Sequence, residues 1–194
     1  MLQTIDIINE MLAATGAAPL TSNDTSHPYY VKAKNKLDIV NTEVQSTGWW
    51  FNTSCRTIPQ DENGEILLPN NVFQADPVDT TKNYILRQGK LYDADERTYE
   101  IGEPVETVYV ERVNIESLPL TVGQLIRTTA VYQFYRDEDG NQPKLGEYYR
   151  AMERAEVLLK REHLKNADVN FFYGTSAMQM QRGYRLNRLP PLAR

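Results

Sequence analysis

Enzymatic chemistry needs nucleophiles, acid–base groups or metal ligands at workable spacing, and this sequence holds few of them. It contains two histidines, His27 and His163, and a single cysteine, Cys55. Their spacing matches neither a four-ligand zinc site nor a Cys–His nucleophile. His27 falls at a helix start and His163 near a helix end, where a cationic imidazole complements the helix dipole. Asp137-x-Asp139-Gly140-Asn141 has the alternating oxygens of a calcium loop. Its glycine stands at position four instead of six, and Tyr148 occupies position twelve, where a bidentate glutamate belongs. That segment reads as a solvated turn between helices. Glu62 and Glu65 could supply the carboxylate pair of a glycan-degrading hydrolase, the alternative function for this chain, but no cleft is evident in the sequence around them. Phosphate loops, nucleophile elbows and dinucleotide fingerprints are missing. The expectation is a non-enzyme with no cofactor and no metal.

Two stretches suggest partner binding instead. Arg182, Tyr184, Arg185 and Arg188 mix rings and guanidinium groups near the C-terminus. They could stack on single-stranded nucleic acid, although a protein partner suits an otherwise acidic chain better. Phe171 and Phe172 make the start of this segment apolar. The second stretch is Trp49-Trp50-Phe51. Adjacent residues after a helix rarely point the same way, so one tryptophan and Phe51 are expected in the core and the other tryptophan at an interface.

The elements that position these residues follow from periodicity and caps. A first helix, about 4–15, opens at Thr4 as N-cap, carries Ile5, Ile8 and Leu12 on one face, and stops at Gly16 and Pro19. A second, about 27–46, opens at Ser26-His27-Pro28; its seam is Tyr30, Ala33, Leu37, Val40 and Val44, and it ends at Gly48. From about 55 to 113 the pattern becomes short β segments: 65–68, 84–87, 91–92 and 105–113. Asp61-Glu62-Asn63-Gly64 and Gln88-Gly89 form the turns. Helices of about 118–136 and 144–165 follow, the last with Leu145, Tyr148, Met152, Ala155 and Leu159 on one face and a Glu156–Lys160 pair. The fold class is α+β: a four-helix bundle with an inserted antiparallel β section projecting from one end. Residues 1–168 form one domain, and 169–194 form an extended C-terminal arm that orders on binding.

The totals agree with a folded, partner-rich chain. Its 194 residues are 41% hydrophobic and 24% charged, ordinary globular usage. The twelve tyrosines are the one excess, and tyrosine suits contact surfaces. A lone cysteine and the lack of a leader predict assembly in cytoplasm, and the two N-x-Ser/Thr sequons at Asn23 and Asn52 are read as chance. No apolar run is long enough to span a membrane. Charge divides by region. Residues 169–194 hold four arginines and no acid, whereas residues 1–168 hold 17 bases against all 26 acids, an excess of nine negative charges. Such a body argues against a general DNA binder.

Several short motifs, in order, resemble tail tubular protein A, the head-to-tail adaptor family of short-tailed bacteriophages. They are Ile8-Asn9-x-x-Leu12-Ala13-x-x-Gly16-x-x-Pro19; Val44-Gln45-Ser46-x-Gly48-Trp49-x-Phe51-Asn52; Leu67-Leu68-Pro69; Gly89-x-x-Tyr92-Asp93; and Ala130-x-x-Gln133-Phe134. The resemblance implies a structural virion protein, a subunit of a homo-oligomeric ring of twelve copies. That ring would lie between the portal protein and the tail nozzle protein, tail tubular protein B, with tail fibres docking near the nozzle junction. DNA would pass through the lumen without specific binding. The arm is expected to reach the portal.

Overall fold

The computed structural model describes residues 3–20 and 27–172, with side chains through Asn166. The order is two helices, five strands and two helices: α1 (Thr4–Ala14), α2 (Tyr30–Ser46), β1 (Thr53–Ile58), β2 (Val72–Pro77), β3 (Tyr84–Arg87), β4 (Lys90–Asp93), β5 (Val105–Glu111), α3 (Leu120–Glu138) and α4 (Gln142–Phe172). A single 3-10 turn, Ile115–Ser117, precedes α3. The protein is α+β, with antiparallel sheets between pairs of helices. Two compact units result. Among the described residues, one is built from 3–20, 27–47 and 113–164, the other from 48–112 with 165–172.

In the helical unit, α1 buries Ile7, Ile8, Met11 and Leu12. Its N-cap is Gln3 in an extended conformation, and Thr4 is already helical, so the threonine expected to cap the helix does not. The C-terminus closes as the glycine predicts. Gly16 takes φ +77°, its N–H reaches Ala13 O at 3.1 Å, and Ala17 N–H reaches Leu12 O at 2.9 Å, the double closure of a Schellman end. Asn9 then holds the departing chain with both ends of its amide, donating to Leu20 O at 3.0 Å and accepting from Leu20 N at 2.7 Å.

Helix α2 begins at Tyr30, three residues later than the sequence suggests. His27 and Tyr29 stay outside it in a turn whose N–H from Tyr30 bonds His27 O at 3.0 Å. Tyr30, Ala33, Leu37 and Val40 are buried, as the seam requires. Helix α3 contacts both α1 and α2 and buries Val122, Ile126, Ala130, Val131, Phe134 and Tyr135. Charged pairs reinforce these contacts: Arg127 grips Glu10 of α1 with two nitrogens, while Lys36 and Lys32 of α2 reach Asp137 at 2.7 Å and Glu138 at 3.1 Å. Helix α4 meets α3 through edge-on Tyr135–Tyr148 rings at 5.1 Å, the Tyr132–Tyr149 pair at 5.6 Å and a Thr121–Glu162 hydrogen bond. It buries Ala155 and Leu159. It also runs to Phe172, beyond residue 165 and into the first residues assigned from sequence to an extended arm.

The β unit holds a three-stranded antiparallel sheet, order β1-β5-β2, and the β3–β4 hairpin. Gln88 and Gly89 take φ +52° and +76°, the paired left-handed conformations of a two-residue turn matched to strand twist. Ile66, Leu68, Ala75, Tyr84, Leu91, Val105 and Tyr109 form its core. Residues 65–68 do not make a ladder strand; they touch neighbours only at the isolated bridges Glu65–Glu100 and Leu67–Lys90. Strand β2 was not expected. It is an edge strand with a bulge between Val72 and Gln74 and ends in Asp76-Pro77, features that an edge tolerates and that hide it from pattern reading. Strand β5 ends at Glu111, two residues early, because Val113 turns instead to a side chain of α2.

Candidate functional site

The turn after α2 explains why the Trp49-Trp50-Phe51 block sits where it does. Gly48 takes φ +80°, and a Cβ there would lie 3.1 Å from a methyl of Val110, so backbone and space both call for glycine. Asn52, 1% exposed, closes the turn: its Oδ1 accepts from Trp49 N at 2.8 Å, and its Nδ2 donates to Glu111 O at 3.0 Å. Thr53 Oγ1 donates to Trp49 O at 2.7 Å. The turn thereby separates the two tryptophans. Trp49 is buried at 8% exposure, whereas Trp50 is half-buried, its ring edge-on to Phe51 at 5.5 Å. Phe51 is half-buried as well, not a core ring.

Three residues before Gly48, Gln45 is fully buried with its amide engaged at both ends. Its Nε2 donates to Asn41 Oδ1 at 2.7 Å and to Val113 O at 2.9 Å, and its Oε1 accepts from Val113 N at 2.8 Å. Thus Gln45 and Asn52, both in one of the matching motifs, each bind the returning chain. Sequence reading did not find these roles; the signal was an amide on the buried side of a helix seam, four residues after Asn41.

The other candidates disperse. Phe171 and Phe172 fall in the last turn of α4 with their side chains outside the described residues, and Arg182, Tyr184, Arg185 and Arg188 lie outside them entirely. Asp137 and Glu138, read as part of an inter-helix turn, end α3 and pair with lysines of α2. Lys36 first, and Arg136 after it, hold the Asp137 carboxyl below its usual value. Among the described residues no group of three His, Cys, Asp or Glu could hold a metal ion. Glu65 is ion-paired with Lys90, whose ammonium it holds above the ordinary range, and Asp61 Oδ1 caps the turn by accepting from Asn63 N and Glu65 N at 2.9 Å. These acids serve the turn. Cys55 Sγ lies 3.7 Å from Glu106 Oε1; burial first, and then that carboxylate, push its thiol up from 9.0. A raised thiol is a poor nucleophile at neutral pH. No described helix is long and apolar enough to cross a membrane.

Asp61, Glu65, Asp137 and Glu138, the acids whose spacing suggested chemistry, are thus held in turns and ion pairs. Comparison with known proteins agrees. A family described as "Tail tubular protein" matches residues 5–169, and the chain belongs to that family, whose members are structural, non-enzymatic parts of the bacteriophage tail. It is 28% identical over 165 residues to tail tubular protein A of Klebsiella phage KP34, covering 85% of this chain and 89% of that one. As a tail component it associates with other tail proteins.

Proposed function

We propose that the chain is the repeating subunit of a ring that joins the portal to the tail nozzle and forms part of the DNA conduit. The observation that carries this reading is the family match along residues 5–169. Charge supports it: an excess of nine negative charges over residues 1–168 lets duplex DNA slide past without adhering. The ring has about twelve copies by family resemblance, and subunits meet head to tail, the arrangement that closes a ring. The four helices act as a bundle, and residues 1–168 work as one adaptor domain.

Partner contacts divide between two places. Trp50, half-buried beside a fully packed neighbour, is the interface anchor of the tryptophan pair. The basic segment with Phe171, Phe172, Arg182, Tyr184, Arg185 and Arg188 reaches the portal, while the nozzle protein and the tail fibres meet other surfaces. Electron microscopy of the chain mixed with a portal ring tests the reading directly. A second stacked ring is expected, and bare portals at saturating subunit would overturn it.

A further inference from the structure

Two surfaces of the subunit carry charge that its own fold does not use. On α4, Arg150, Arg154 and Arg161 are exposed and fall at i, i+4 and i+11, along one side of the helix. None of the three reaches a carboxylate among the described residues; Arg150 bonds only the backbone carbonyl of Gly146, at 3.1 Å. Like charges at i and i+4 repel, so the stripe works against the isolated helix. Beside it Val157 and Leu164 stand 64% and 62% exposed. Both lie opposite the face that buries Ala155 and Leu159.

The β unit offers the complement. Residues 48–112 contain twelve acids and six bases. At one end the 61–64 turn lies against residues 100–102, where Ile101 N and Gly102 N both donate to Gly64 O, at 2.9 and 3.0 Å. Glu62 and Glu100 are exposed there and reach no base among the described residues. Leu67, next along the chain, is 48% exposed.

We propose that the outer face of α4 in one subunit docks on this acidic end of the β unit in a second copy of the chain. The inference rests on the ring reading and deepens it by naming the two faces. Arginines meet glutamates, and Val157 and Leu164 meet Leu67, so charge and apolar area are covered together. Two different faces of one subunit make a head-to-tail contact, the kind that repeats around a ring. Duplex DNA is the competing occupant of the arginine stripe, but it would leave Val157 and Leu164 bare.

Sedimentation velocity of the full chain with charge-reversed variants tests the contact. The wild type is expected to self-associate at low salt. R154E/R161E and E62K/E100K should each weaken association by about a hundredfold, and combining all four reversals in one chain should restore it. All sites are exposed, and unchanged circular dichroism and melting confirm folding. A wild type that stays monomeric at low salt, or reversals without effect, overturns the contact. So does salt-sensitive binding of a short duplex that R154E/R161E abolishes while self-association persists. The ring reading is judged separately, by the portal micrographs: a stacked ring alongside inert reversals rejects these faces alone.

Discussion

Replacing Gln45 by methionine probes the buried amide at the end of α2. The side chain keeps its length and apolar stem while losing three hydrogen bonds, of 2.7, 2.9 and 2.8 Å. At about 1 kcal/mol net for each bond, the loss is about 3 kcal/mol. Asn41 is 5% exposed and keeps an orphaned oxygen, which adds to the cost, whereas half-buried Val113 can turn to water, which offsets it. For a domain of this size the melting temperature should fall by roughly 6–12 °C. Urea titration followed by circular dichroism measures the difference, with exposed Glu43→Ala as a control expected to stay within about 0.5 kcal/mol. A loss below about 1 kcal/mol for Gln45→Met, with the control unchanged, would refute the reasoning that the amide network holds Val113.

Trp49→Ala should cost roughly 3–5 kcal/mol by emptying a buried site, while Trp50→Ala should keep most of the stability and weaken assembly, read by parallel melting and sedimentation. Equal large losses in both would show the pair to be purely core. Deleting residues 175–194 should leave the melting temperature unchanged and abolish portal binding in a pull-down; retained binding would assign the portal contact elsewhere. Asp137, held below its usual 3.8 chiefly by Lys36, contributes stability above about pH 4 that disappears as pH falls through the depressed folded value. At 36% exposure that contribution stays below about 1 kcal/mol, so Asp137→Asn should lower the melting temperature slightly at pH 7, and by progressively less as the pH is taken below 3.8.

Much of the architecture was legible because its signals were local. Gly16 ended α1 as its position foretold, the Tyr30–Val40 seam marked α2, and Gln88-Gly89 set a hairpin. Signals failed where tertiary partners decide. Thr4 had the type of a cap, but the helix starts one residue earlier in effect. Strand β2 owes its existence to pairing with β5, which a run ending in Asp76-Pro77 does not announce. Glu65 to Leu68 has strand alternation, with Ile66 and Leu68 buried, yet lacks a continuous partner. Of the tryptophan pair Trp49 is buried and Trp50 half-buried rather than exposed, and Phe51 did not join the core. Reading α4 by its inward seam alone passed over the outward arginines, whose spacing was equally visible.

The amide of Gln45 also bears on how the chain folds. It joins residues 68 positions apart, so the helical unit can form only after the segment between them has been drawn into a loop. Closing an unstructured loop of that length costs about 4 kcal/mol in chain entropy. Strands β1 to β5 lie wholly within that loop, and their pairings bring Thr53 opposite Val110. A β unit that forms first delivers Val113 to Gln45 already close at hand. Early pairing of the inserted strands would therefore lower the entropy cost of bringing the helical pairs on either side together.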